Sequence, residues 1–251
     1  MPAVPGPARI PGYLPLMDPF QTRTAILTEI RPLARDTNLY VMDLNEPLPF
    51  EAGQFVNIGI PNATPRPERS YSIWSDPGQP GRMEFAIKLF EGGQASEYFR
   101  VTPVGTQFTL KGPYGHFQLR PPEENEGAHW FFATSTGLAP FHAMLCVAAR
   151  EQDRRKFRIL FGNRDEGDIF GLDRLEALQS QLNLEYTVCL SKPGDDLNPA
   201  YRRGRITAHL PEINLSDRYY LCGNGTMITE AKDLLKAAGV DRKRIHYEKY
   251  W

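Results

Sequence analysis

Arg69-Ser70-Tyr71-Ser72 places a guanidinium, a phenol and two hydroxyls in consecutive positions. An arginine can grip a phosphate through paired N–H donors, and a tyrosine can lie flat on an aromatic ring. The run has β character, and strand alternation puts Arg69 and Tyr71 on one face and Ser70 and Ser72 on the other. A plain strand with one surface arginine would look the same. Downstream, Phe85-Ala86-Ile87-Lys88-Leu89 leads into Glu91-Gly92-Gly93-Gln94-Ala95-Ser96, which opens a short helix through Phe99. Free N–H groups at a helix start bind anions, and glycine lets a phosphate come close, with Ser96 as a further donor. A hairpin turn with Ser96 as helix cap is the alternative. Lys111-Gly112-Pro113-Tyr114-Gly115 adds a tight turn.

The second half carries its own set. Ala133-Thr134-Ser135-Thr136-Gly137-Leu138-Ala139-Pro140 has the outline of a strand–turn–helix nucleotide-phosphate site. It lacks G-x-G-x-x-G, so the usual dehydrogenase fingerprint is absent. Phe161-Gly162-Asn163-Arg164 and Ser191-Lys192 close two further strands, and Arg202-Arg203-Gly204-Arg205 follows. Cations at the carboxyl ends of parallel strands suit a phosphate-bearing ligand, although a solvated surface is the usual fate of such a cluster. Cys222-Gly223-Asn224-Gly225-Thr226-Met227 follows another strand, where a lone cysteine is ordinarily an inert buried thiol. The chain ends His246-Tyr247-Glu248-Lys249-Tyr250-Trp251, and two aromatics just after a last strand can cap a flat ring or fray.

The elements that must position these residues fall into two textures. Residues 1–20 form a proline-rich tail without the apolar core of a secretory signal. Over 21–122, short β-prone runs are punctuated by Pro and Gly, which predicts an antiparallel barrel or sandwich. After the polar run Pro121-Pro122-Glu123-Glu124-Asn125-Glu126-Gly127, apolar strands alternate with helical patterns through residue 251. That alternation predicts a doubly wound parallel α/β sheet.

The chain has 251 residues, Lys+Arg 29 against Asp+Glu 30, and a net charge of -1, which argues against a protein built to grip nucleic acid. No run approaches the roughly 20 apolar residues of a membrane span. The 3 cysteines form no C-x-x-C pair, and no H-E-x-x-H occurs, so no metal site is expected and a cytoplasmic location is the default.

Taken in order, Arg69-Ser70-Tyr71-Ser72, Gly93-Gln94-Ala95-Ser96, Gly112-Pro113-Tyr114-Gly115, Thr136–Pro140, Cys222–Met227 and the aromatic end resemble the ferredoxin–NADP reductase family from about Thr22 to Trp251. The resemblance implies an FAD-binding barrel at 21–122 and an NADP-binding domain with an aromatic cap at 123–251. It implies that Arg69 pairs with the FAD diphosphate, Tyr71 packs on the flavin and Ser72 lies near its N5, with Ser70 in the same motif. Gly93, Gln94, Ala95 and Ser96 would take the diphosphate, and Ala86, Ile87 and Lys88 would pass the adenosine. Thr136 would face both cofactors. Gly137, Asn163, Arg164, Ser191, Lys192, Arg205, Gly223 and Met227 would hold NADP. Cys222 would sit beside the nicotinamide, Glu248 near the flavin, Tyr250 over its ring and Trp251 on the adenine. Ser135 stands where the family usually has glycine, and Lys192 where many NADP-specific members have arginine.

The implied activity is hydride transfer from NADPH to FAD and single-electron delivery to an acidic carrier such as ferredoxin or flavodoxin. A reductase component of an oxygenase assembly is the alternative, and a non-enzymatic nucleotide-binding regulator stands behind both. The chain has no C-x₄-C-x₂-C iron–sulfur segment, which favours an external acceptor.

Overall fold

The computed structural model describes residues 21–61 and 67–250; the expectations for the tail and for Trp251 lie outside them. The first half forms an antiparallel six-stranded sheet in the order β4-β3-β6-β1-β2-β5. Its strands are β1 (Gln21–Ala34), β2 (Thr37–Leu44), β3 (Phe55–Gly59), β4 (Glu68–Ser72), β5 (Arg82–Lys88) and β6 (Gln107–Tyr114), with helix α1 (Gln94–Val101) after β5. The sheet curls towards closure where Trp74, just past β4, donates its N–H to the Glu84 carbonyl on β5 at 2.8 Å. Its interior holds Tyr40, Val56, Ile58, Phe85, Phe99 and Phe108. β1 runs longer than its apolar core because bulges at Leu27/Glu29 and Pro32/Ala34 let it bend and keep pairing with β2.

The second half is a parallel six-stranded sheet in the order β10-β9-β8-β7-β11-β12. It comprises β7 (His129–Thr134), β8 (Lys156–Asn163), β9 (Asn183–Leu190), β10 (Arg202–Arg203), β11 (Arg218–Asn224) and β12 (Ile245–Tyr250), with helices α2 (Ala139–Arg150), α3 (Leu172–Gln179) and α4 (Gly225–Ala237). β7, β8 and β11 are almost wholly buried, as near-continuous apolar runs covered on both faces should be. Pro140 starts α2 in the first turn, where its missing N–H costs nothing. The chain leaves β7 for β8 and β9, then returns to β11 on the other side. That reversal opens a crevice between the carboxyl ends of β7 and β11, where ligands bind in sheets of this kind.

The halves are packed as one body. Leu39, Val41, Trp74, Ala86 and Phe117 of the first share a core with Phe131, Phe141, Met144 and Phe161 of the second. Trp74 stacks on His142 at 4.6 Å, and burial pushes that imidazole down to about 4, so it packs as a neutral ring. Ion pairs Arg35–Asp165, Lys88–Asp168, Arg174–Glu84 and Arg150–Asp76 line the same seam.

The polar run after Pro121 is not simply solvated. Glu126 is only 6% exposed and meets Arg218 at 3.2 Å and His129 at 3.2 Å, while Glu123 pairs with Arg218 and Arg244. Its carboxylates pin the connection to the amino edge of the parallel sheet. No described helix is long and apolar enough to cross a membrane.

Candidate active site

The register pairs Cys222 of β11 with Ala133 of β7 on one side and Glu248 of β12 on the other. Glu248 and Tyr250 are two residues apart on a strand and so share a face, the one turned towards the first half. Tyr250 donates its hydroxyl to Ser72 Oγ at 2.7 Å, and Ser72 Oγ donates to Glu248 Oε1 at 3.2 Å. The Tyr250 hydroxyl also approaches the Thr136 carbonyl at 3.5 Å. Ser72, Thr136, Cys222, Glu248 and Tyr250 are therefore one cluster, drawn from β4, the turn after β7, β11 and β12.

Burial sets its electrostatics. It pushes the Glu248 carboxyl up to about 7, with the Ser72 hydrogen bond pulling the other way. Burial, with Glu248 beside it, also holds the Cys222 thiol well above its usual value. Such a cysteine stays protonated at neutral pH and is no nucleophile. Burial lifts the Tyr250 phenol in the same way. The cluster can hold and exchange a proton at Glu248, but it contains no activated nucleophile.

Two glycines permit the close approach of the strand ends. A Cβ on Gly137 would run into the Cys222 carbonyl, and one on Gly223, at φ +119°, into Thr134. Thr134 Oγ1 accepts the Asn224 N–H at 2.8 Å, and Asn224 caps α4 by accepting from Thr226 and Met227. Ser135, between these contacts, adopts φ 50°.

On the first half, Arg69 is exposed and its guanidinium donates to the Glu68 carbonyl at 3.0 Å. Tyr71 packs edge-on to Phe99 of α1 at 5.7 Å, which sets the Arg69–Tyr71 face of β4 beside that helix. Ser70 points away and donates to Asn57 at 2.7 Å. Gly93 caps α1 without a side-chain bond, leaving first-turn N–H groups of Gln94 and Ala95 for an outside acceptor. Ser96 is not the cap: its oxygen accepts the Phe90 N–H at 2.9 Å and fixes the turn. A guanidinium on β4 and uncapped N–H groups at the start of α1 are together the donor chemistry that a diphosphate needs.

Beyond the strand ends of the second half lies a cleft of 350 Å³ whose lining includes Thr134, Ser135, Asn163, Arg164, Ser191, Arg205 and Met227. Asn163 is 7% exposed, yet neither its Nδ2 nor its Oδ1 has a partner among the described residues. A buried amide of this kind offers a donor and an acceptor to a ligand or an ordered water in the cleft. Lys88 reaches this cleft, 3.4 Å from Asp168, while Ala86 and Ile87 are buried in the core. Arg205 pairs with Glu230 at 3.7 Å. Lys192 is exposed, with its N–H on the Arg164 carbonyl at 2.7 Å.

Residues 24–119 match the oxidoreductase FAD-binding domain and residues 131–233 the oxidoreductase NAD-binding domain. The chain is 32% identical over 244 residues to ferredoxin–NADP reductase B of Sorangium cellulosum, covering 93% of this chain and 98% of that protein. The chain belongs to the ferredoxin–NADP reductase family. It is an FAD- and NAD(P)-binding oxidoreductase by that membership. It is also 30% identical to the reductase subunit of an Amycolatopsis aromatic O-demethylase, over 92% of this chain and 70% of that one. The crystal structure of the Amycolatopsis cytochrome P450 reductase GcoB superposes with a TM-score of 0.83 at 28% identity, over 92% of this chain and 70% of that chain. A Neisseria gonorrhoeae ferredoxin NADP+ reductase, solved with FAD and NADP, shares the fold at a TM-score of 0.76 and 20% identity, over 93% and 99% of the two chains.

Sequence patterns singled out the Ser72–Cys222–Glu248–Tyr250 set but not Asp168, Glu230 or the Thr134–Asn224 bond. Asn224 carried a readable signal, an asparagine directly before a helical run. Glu230 sits one helical turn beyond Met227 and so faces the same cleft. Asp168 carries no local signal; only the packing of the halves brings it to Lys88.

Proposed function

We infer that the protein is a ferredoxin–NADP reductase, holding FAD without a covalent link and taking NADPH in the cleft of its second half. The observation that carries this reading is the Tyr250–Ser72–Glu248 chain of hydrogen bonds, which ties the last strand to the strand bearing Arg69 and Tyr71. Bound FAD supplies acceptance of a hydride and release of electrons one at a time.

The chain's own residues bind, orient and exclude water. Arg69 and the first turn of α1, from Gly93 to Ser96, hold the diphosphate. Tyr71 and Tyr250 would hold the flavin ring between them. Ser72, which accepts from Tyr250 and donates to Glu248, would link the reacting edge to that carboxyl, and Glu248, poised near neutrality, can hold and return a proton there. Thr136, Gly137, Gly223 and Met227 shape the nicotinamide seat, with Cys222 as its uncharged floor. Asn163, Arg164, Ser191, Lys192 and Arg205 take the rest of the coenzyme, the cations favouring NADP over NAD. The electron acceptor is an acidic carrier such as ferredoxin or flavodoxin, in the cytoplasm.

A second reading, a reductase component of an oxygenase, draws support from the 30% identity to the O-demethylase subunit. The 32% identity over 244 residues to the Sorangium ferredoxin–NADP reductase supports the first. Steady-state reduction of ferredoxin and of flavodoxin, with NADPH and then NADH, tests it. NADPH-driven reduction of either carrier supports the assignment; failure with both carriers while an artificial acceptor is reduced would reject it in favour of the second.

A further inference from the structure

Glu230 faces the cleft from α4 and meets the chain that follows β10. Its two carboxylate oxygens are engaged by different residues of one short turn. Oε1 lies 3.7 Å from the Arg205 guanidinium, and Oε2 accepts the Thr207 hydroxyl at 3.4 Å. Between those two residues Ile206 is 2% exposed and shares a core with Met227 and Ile228 in the first turns of α4. The buried isoleucine locks the turn to the helix, so packing sets the carboxylate opposite the guanidinium.

The other charges of the cleft make that placement consequential. Its cations are Lys88, Arg164 and Arg205, and its acids are Asp168 and Glu230. Asp168 is 7% exposed and already matched by Lys88 at 3.4 Å. Glu230 and Arg205 differ: their side chains are 41% and 70% exposed, and a pair so open to solvent adds little to stability. Its effect falls on whatever comes to Arg205. A phosphate there gains the guanidinium, but it must displace Glu230 and then lie beside a second negative charge. A neutral hydroxyl meets no such repulsion.

We propose that Glu230 sets the charge selectivity of the cleft: it holds Arg205 in the coenzyme-free protein and repels a phosphate on the adenosine ribose. The margin of NADPH over NADH is then narrow, and both coenzymes are accepted. Specificity is a difference between two affinities, and a like charge facing one ligand lowers that ligand's affinity alone. Thr207 is a positioning residue that keeps the carboxylate turned towards Arg205. Neither residue takes part in bond making. The inference rests on the cleft being the coenzyme site, with its β9–β10 end taking the adenosine ribose.

Calorimetric titration of the purified protein with 2′,5′-ADP and with 5′-AMP isolates the extra phosphate, since the probes differ in nothing else. Glu230→Gln removes the charge and keeps an oxygen for Thr207. It should tighten 2′,5′-ADP by about 3–10-fold and leave 5′-AMP as it is. The gain should shrink in about 1 M salt, where charges are screened within about 3 Å. The ratio of kcat/KM for NADPH to that for NADH should rise by the same factor. A carboxylate that served only to anchor Arg205 would give the opposite sign, a weaker 2′,5′-ADP complex in Glu230→Gln. That result, or an unchanged affinity beside a parent that binds the probe, would overturn the proposal alone, as would an equal gain for 5′-AMP. A parent that binds neither probe would overturn the coenzyme reading of the cleft and the proposal with it.

Discussion

Tyr250 and Ser72 lie 178 positions apart in the chain and are joined by a hydrogen bond of 2.7 Å. The bond fastens the end of the parallel sheet to the edge strand of the antiparallel one, beside the half-buried Glu248. A proton-holding carboxyl, two hydroxyls and a protonated thiol thus meet at a seam between two nucleotide-binding units.

Tyr250 is proposed to cover the flavin where the nicotinamide must lie. Coenzyme then binds productively only in molecules whose terminus has moved aside, which lowers its apparent affinity by that fraction. Tyr250→Ser should tighten NADP⁺ binding and leave a persistent flavin–nicotinamide charge-transfer band, with slower turnover as release becomes limiting. Tyr250→Phe keeps the ring and loses only the Ser72 bond, so it should bind NADP⁺ close to the parent. Titration of the oxidised proteins with NADP⁺ checks both; an unchanged spectrum and affinity in Tyr250→Ser would remove Tyr250 from the flavin.

Glu248 gives the site a pH signature. Its carboxyl is raised from 4.5 to about 7, so between those values the folded chain holds a proton that the unfolded chain has released. Its contribution to stability is therefore fully present below about 4.5, declines as pH rises through the folded value and levels off above it. Glu248→Gln should abolish that decline, leaving the variant more stable than the parent at pH 8 by about 1–3 kcal/mol after allowance for partial exposure. In the parent, turnover should change near pH 7, and the step should disappear in the variant. Thermal melts from pH 5 to 8 and a pH–rate profile provide the check.

Arg69→Ala removes a charge-assisted pair proposed for the FAD diphosphate. The variant should bind FAD about 10–150-fold more weakly and lose it on gel filtration, while its melting curve with excess FAD stays near the parent's. Stoichiometric FAD after extensive dilution would show that Arg69 is not a phosphate ligand.

The two-sheet architecture was legible because its signals are local: turn residues spaced through the first half, strand–helix alternation in the second. The cluster was legible from motif order, since Ser72, Cys222, Glu248 and Tyr250 each stand in a recognisable run. Long-range pairings were not. The linker reading missed Glu126 because its partners Arg218 and His129 reach it only through the sheet. Ser96 looked like a cap or phosphate donor; its oxygen accepts the Phe90 N–H instead of capping α1, a choice made by turn geometry that leaves its O–H free to donate. Lys88 belongs to β5 in sequence and to the second half's cleft in space, through Asp168.

Coenzyme choice turns on exposed cations at the β9–β10 end. Lys192→Ala should weaken NADPH by about 10-fold or more and NADH little, because only NADPH carries the 2′-phosphate. Steady-state constants for both coenzymes decide it, and equal losses would place Lys192 away from that phosphate.

Anaerobic mixing of the purified, FAD-loaded protein with one equivalent of NADPH, followed in the flavin absorbance, bears most directly on the central claim. The account predicts a yellow protein with one FAD per chain that bleaches in a single turnover and recovers when an oxidised one-electron carrier is added. A chain that takes up no FAD, or whose bound flavin stays oxidised under excess NADPH and NADH alike, would contradict it.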